Sequence, residues 1–220
     1  MSTPIPYLDG LLLASAAYPS GFGHALFSTF TRGSAREVSR GFLVFLLLPY
    51  GAIALAVAAL RPELLALRPT GWIWLIAALA VAPLALALEY GLAGLLAWKQ
   101  GGRFPRRVAL SGFWGAGLAL PDHLLLAGIA AGEELVYRQL WPAALAGAFG
   151  WPAGLALGLS ALAYGLNHLA FGGSAVLGKT LSGLAYGALY LAAGKSLWPP
   201  LLAHLAQNWS LFAVARGSRD

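Results

Sequence analysis

From Gly41 to Leu60 the chain carries no charged side chain, and from Trp72 to Trp98 it carries one, Glu89. Apolar runs of about 20 residues match the roughly 30 Å hydrocarbon layer of a bilayer. Backbone polar groups in that layer must be satisfied within the segment, so such runs fold as helices. The remaining composition supports the same medium. Hydrophobic residues make up 59% of the 220 positions and charged residues 10%, against about 25% charged in soluble domains, and the mean hydropathy is +0.72. These proportions cannot clothe a water-facing surface. They predict an all-α fold, a polytopic transmembrane helical bundle with six to eight membrane segments, in a single membrane-embedded domain over residues 1–220.

The formal net charge of +6 comes from basic residues placed between apolar runs, chiefly in "TRGSAREVSR" and "KQGGRFPRR". Such clusters hold loops on the cytoplasmic side and meet anionic lipid head groups. They form no stripe of the kind nucleic acid requires, so no nucleic-acid partner is expected. Without cysteine, disulfide and thiolate chemistry are excluded. The amino terminus, "MSTPIPYLDG", lacks the basic start and small-residue cleavage site of a secretory signal and reads as mature protein.

Leu11 to Phe30 is interrupted by Pro19, Gly21 and Gly23 and carries His24, a pattern open to a span, a re-entrant segment or an interfacial one. Gly41–Leu60 and Trp72–Trp98 are clean spans. Val108 to Ala130 is apolar apart from Asp122 and His123 after Pro121, which suggests a broken helix or re-entrant turn. A helix follows to Phe149, then a turn at "GWPAG", a helix over Leu155–His168, a loop at "FGGSAVLGKT", a helix over Leu181–Ala193 and, after "GKSLWPP", a last one over Leu201–Val214. Gly183 and Gly187, with Ser182, have the small-residue spacing that lets membrane helices approach closely.

Ionised groups inside such helices are costly and usually belong to a cavity, an ion pair or a reaction centre. Four places qualify: "EELVYR" from Glu133 to Arg138, "YGLNH" ending at His168, "HLAQN" from His204 to Asn208, and the Asp122–His123 step. Glu134 and Arg138 stand four residues apart with the acid first, the favourable order for a helical pair. Glu133 then lies about 100° around the helix without a local partner. A buried glutamate of that kind suits general-base work on water. The competing reading makes all three a structural ion network at a helix start, where carboxylates are welcome. His204 and Asn208 share one helix face. A shared pocket with His168 and Glu133 satisfies all of these groups at once, whereas dispersal would need a private partner for each.

In order and spacing, "EELVYR", "YGLNH" and "HLAQN" resemble the three motifs of the CPBP family, membrane-embedded proteases related to the type II CAAX prenyl endopeptidase. The resemblance spans Glu133 to Asn208, within a motif-bearing core over 122–214. Tyr137, where phenylalanine is common, and Gln139, where glycine often follows, depart from the pattern without removing a reacting group. The resemblance implies an intramembrane endopeptidase acting on a membrane-anchored protein or peptide. In it Glu133 would activate water, His168 would orient the water or shuttle its proton, and His204 with Asn208 would donate to the oxyanion. Glu134 and Arg138 would support that geometry. It also implies a multi-pass integral membrane protein of a bacterial-type inner membrane, embedded in the lipid bilayer.

No cofactor and no metal is expected, since no His-Glu-x-x-His pair is present and Asn208 suits a donor better than a ligand. Zinc is the alternative, because two histidines and a carboxylate form a standard catalytic set. Gly173, Gly178, Lys179 and Thr180 have P-loop spacing, but they join two hydrophobic helices with no strand before them, and a glycine-rich turn explains them. A non-catalytic scaffold or immunity-type protein and a small transporter are rivals of other classes. Lacking any coiled coil or soluble interaction module, the chain reads as a monomer.

Overall fold

Leucine, alanine and valine runs leave the backbone no hydrogen-bonding partner except itself, and helices account for almost all regular structure. The computed structural model of the chain describes residues 6–31, 35–101 and 119–217. Among these are eight helices: α1 (Pro6–Ser15), α2 (Pro19–Phe30), α3 (Ala35–Leu60), α4 (Trp72–Gly101), α5 (120–148), α6 (Ala153–Leu166), α7 (Gly173–Ala192) and α8 (Trp198–Gly217). The all-α expectation is met. Two of the eight have the length and hydropathy of a full crossing, over Arg40–Leu60 in α3 and Trp72–Gly101 in α4.

The ambiguous first segment resolves into two short helices broken at 16–18, because Pro19 opens α2 where a missing N–H costs nothing. At 1.5 Å per residue, neither α1 with 10 residues nor α2 with 12 reaches across about 30 Å of hydrocarbon. α1 is held by its buried Asp9, which pairs with Arg61 beyond the end of α3. Arg61 also donates from Nε to Glu63 Oε1 at 2.6 Å, and that bond holds the exposed Glu63 carboxyl below the usual glutamate range.

The Asp122–His123 step lies in the first turn of α5. Asp122 Oδ2 accepts the Ala119 N–H at 2.8 Å, and Oδ1 accepts Arg40 Nε at 2.8 Å, so its charge serves the first turn of α5 and a neighbouring helix. The part of the Val108–Ala130 segment from 108 to 118 lies outside the described residues. From Leu120–Glu134 the helix continues through a π turn over Leu135–Leu140, a short α stretch over Trp141–Ala143 and a second π turn over Ala144–Ala148. The acidic pair therefore sits deep within a helix, not at its start.

Small residues set the packing. On α4, Ala78, Ala82 and Ala85 form a buried ridge against Tyr186 and Leu189 of α7 and Ala203 of α8. Where α6 crosses α7, a Cβ on Gly165 would lie 2.6 Å from the Val176 carbonyl oxygen, and one on Gly187 would lie 2.2 Å from Leu157 Cδ1. The Gly183–Gly187 stripe thus performs the close approach its spacing predicts. "FGGSAVLGKT" is not a loop: α7 begins at Gly173 and takes in Gly178, Lys179 and Thr180. Gly165→Ala must move backbone, so it should cost about 1–3 kcal/mol, read as a lower thermal midpoint in detergent. Gly158→Ala, whose added methyl meets open space, should leave the midpoint in place.

Candidate active site

The architecture converges on Arg138, whose side chain is 0% exposed. A guanidinium in that position must find charge and acceptors within the protein. Its Nε lies 3.1 Å from Glu134 Oε2, close enough to pair but not aligned as a hydrogen bond. Its Nη1 donates to the Tyr137 carbonyl at 3.3 Å, and its plane lies 4.9 Å from the Tyr164 ring centroid and 5.9 Å from that of Tyr186.

The π turn explains the free carbonyl. Trp141 N–H bonds to Val136 O in the i→i+5 register. In that register the Tyr137 carbonyl would be served by residue 142, and Pro142 has no N–H to give. The carbonyl takes Arg138 instead, together with the hydroxyl of Ser160 on α6.

Glu134 has a second duty. Its Oε1 accepts from His204 Nδ1 at 2.8 Å, so the brace on α5 also orients the imidazole on α8. Because an ionised carboxylate only accepts, His204 carries its proton on Nδ1 and turns Nε2 toward Glu133 Oε2, 3.4 Å away. His168, just past the end of α6, is fixed in the same manner. Its Nδ1 lies 3.0 Å from the Tyr164 carbonyl, which can only accept, and its Nε2 lies 3.9 Å from Glu133 Oε1. In the neutral ring that Nε2 is a lone pair facing the carboxylate.

Glu133 is therefore flanked by two imidazole Nε2 atoms. It is not without partners, although none comes from its own helix. Tyr50 of α3 donates its hydroxyl to Oε1 at 3.1 Å, and Asn167 donates Nδ2 to the same oxygen at 3.3 Å. Glu133, His168, His204 and Asn208 all line one cavity of about 290 Å3, whose other walls include Phe42, Leu46, Ile129 and Phe171. Asp122 and His123 are not among its lining residues. Among the described residues, no three His, Cys, Asp or Glu side chains gather as a metal-ligand set.

A second polar group lines the same cavity. Glu89 Oε1 accepts from Ser182 Oγ at 2.6 Å and pairs with Lys179 Nζ at 3.1 Å. The lysine of the P-loop-like string is thus the counter-ion of the one carboxylate in α4. Ser20, Tyr50 and Glu89 were not singled out by sequence reasoning as parts of the site. The available signal was modest: Glu89 and Tyr50 are polar interruptions of apolar runs, and Tyr50 follows Pro49.

Residues 116–210 match the family model described as type II CAAX prenyl endopeptidase Rce1-like, a little under half of the chain. The match contains Glu133, Glu134, Arg138, His168, His204 and Asn208. This segment is an Rce1-like domain. No curated protein and no solved structure matches the chain. The Rce1-like family is membrane-embedded, in keeping with the two long apolar helices α3 and α4.

The brace and the flanked carboxylate should separate on substitution. Glu134→Gln leaves Arg138 buried without its counter-charge and should cost about 3–5 kcal/mol, measured by thermal or chemical unfolding in detergent. Glu133→Gln keeps the hydrogen bonds from Tyr50 and Asn167 on the amide oxygen and should unfold close to wild type.

Proposed function

We propose that the protein is a multi-pass intramembrane endopeptidase of an inner, cytoplasmic-type membrane, hydrolysing a peptide bond in a membrane-anchored or carboxy-terminal segment with glutamate-activated water. The observation that carries this reading is the Glu133 carboxylate on a cavity wall, faced by Nε2 of both His168 and His204, with Asn208 on the same cavity. Hydrolysis needs a base for water, donors for the oxyanion and a proton for the leaving amine. Each has a candidate here.

In the proposed reaction Glu133 takes a proton from a water held against the lone pair of His168 Nε2. The hydroxide oxygen bonds to the scissile carbonyl carbon while the carbonyl π electrons move onto oxygen. His204, when protonated on both nitrogens, points Nε2–H toward that oxyanion, and the Asn208 amide supplies a second donor. Collapse of the tetrahedral species breaks the carbon–nitrogen bond, and the proton held by Glu133 passes to the departing amine directly or through His168. Glu134 and Arg138 hold His204 and the helix turn in place without touching substrate. The largely apolar wall suits a lipid-embedded chain, and the outward leucines and tryptophans of α3 and α4 suit the bilayer around it.

Purified protein in detergent or vesicles, given a membrane peptide substrate, tests the reading. Glu133→Gln should lower turnover by at least about 100-fold, the lower end for general-base catalysis. His204→Ala and Asn208→Ala should each lower it by about 10²–10³ if they hold the oxyanion. Elemental analysis and chelation on the same preparations address zinc. Activity lost with chelator and restored by zinc would replace the glutamate mechanism with a metal-assisted one at the same residues. Full turnover by Glu133→Gln would remove that carboxylate from the base role, and wild-type protein without turnover on any membrane peptide would favour the scaffold reading.

A further inference from the structure

Tyr50 lies outside the family match, on α3, yet its hydroxyl reaches Glu133 and is among the most completely buried groups in the protein. The hydrogen bonds around it have a forced direction. The Ser20 backbone N–H lies 2.9 Å from Asn167 Oδ1, which fixes that atom as the acceptor and leaves Nδ2 as the donor end. Nδ2 then faces three oxygens, Ser20 Oγ at 2.8 Å, Tyr50 Oη at 2.8 Å and Glu133 Oε1 at 3.3 Å. Ser20 Oγ, an acceptor from Asn167, lies 3.0 Å from Tyr50 Oη, a contact in which either hydroxyl could donate. Because the Glu133 carboxylate only accepts, the Tyr50 hydroxyl directs its own proton to Oε1, and Ser20 Oγ then donates to Tyr50 Oη.

Two features of the backbone build this arrangement. A Cβ on Gly132 would lie 2.6 Å from Tyr50 Cβ and 2.8 Å from Cγ, so the residue before the candidate base is kept bare where the tyrosine ring root passes. Pro49 has no N–H to give to the Phe45 carbonyl one turn earlier. Gly23 of α2 packs against that carbonyl, where a Cβ would lie 2.5 Å from the oxygen. The proline gap thus seats α2 on α3 and brings Ser20 to Tyr50.

We propose that Tyr50 is a positioning residue for Glu133, oriented by Ser20 and Asn167, and this rests on Glu133 being the base. Its hydroxyl pins Oε1, so that the carboxylate presents Oε2 toward His204 and the cavity. It touches neither water nor substrate in this role. Removing it frees the carboxylate to rotate and lowers the fraction of encounters in which base and imidazoles are aligned.

The test is a kinetic comparison of wild type, Tyr50→Phe, Ser20→Ala, Glu133→Gln and the Tyr50→Phe/Glu133→Gln double variant on one membrane peptide substrate. Tyr50→Phe should lower kcat by about 10- to 100-fold, the range for losing a hydrogen bond to a charged group, with KM within about twofold and an unchanged thermal midpoint. In the Glu133→Gln background the same substitution should cause no further loss, because its effect runs through the carboxylate. Ser20→Ala keeps the ring and should lower kcat several-fold, and it decides the question if Tyr50→Phe does not fold. Unchanged kcat in these variants, or a Tyr50→Phe effect of equal size with and without Glu133, would overturn the proposal. Those results would leave the endopeptidase reading and the base role of Glu133 intact, whereas full turnover by Glu133→Gln would remove the base role on which the proposal rests, and wild-type protein without turnover would defeat the endopeptidase reading.

Discussion

A guanidinium with no access to solvent is the constraint from which the rest of the centre follows. Arg138 cannot be left unpaired in a medium of low dielectric without a cost of several kcal/mol. One oxygen of Glu134 meets that demand, which leaves the other oxygen fixed in space. That second oxygen holds His204 Nδ1, and the imidazole, so held, can point only Nε2 at Glu133. Pro142, which has no N–H to give in the π register, frees the Tyr137 carbonyl to finish the arginine's shell and to accept Ser160 from α6. The brace thus sets the orientation of groups on three helices, and the candidate base is the one carboxylate of the pair left to the cavity.

Much of this was legible in the chain. Four-residue spacing pairs Glu134 with Arg138 and leaves Glu133 on a different face, and the structure has that division. The cost argument against scattering His168, His204 and Asn208 through a membrane helix bundle also led to the cavity they share. What local spacing could not reveal is that Glu134 serves two partners, because His204 lies 70 positions away. The same limit hid Tyr50 and Ser20, which meet Glu133 and Asn167 across 83 and 147 positions. A tyrosine in an apolar run reads as core, and Tyr50 is in fact packed in the core through its ring. Its hydroxyl alone belongs to the site.

Punctuation residues act differently inside a helix packed on others. Pro121 stands in the first turn of α5, where its missing N–H is harmless and Asp122 caps the Ala119 amide. The glycine just before Lys179 forms no turn but lies within α7, against Glu89 of α4. Gly178 would place a Cβ 3.0 Å from Glu89 Cγ, so the bare position allows the α4 carboxylate to reach Lys179. Gly and Pro therefore mark contacts here as well as ends.

Chain position does not divide this centre into a reactive part and a scaffold. The matched segment supplies the carboxylates, the imidazoles and Asn208, but the cavity they face is closed by residues that precede it, including Phe42, Leu46, Glu89 and Tyr90. Those residues come from α3 and α4, the two helices with the length and hydropathy of a crossing. Their outward faces are leucine, isoleucine and tryptophan, while their inward faces carry polar groups that apolar runs of this length would otherwise exclude, among them Tyr50 and Glu89. These two are matched to groups on the carboxy-terminal helices, Tyr50 to Glu133 and Glu89 to Lys179. Because a polar group is tolerated in an apolar helix only against its counterpart, these pairs fix how α3 and α4 register on α5 and α7. The assembly of the helix bundle and the alignment of the candidate catalytic groups are thereby one requirement.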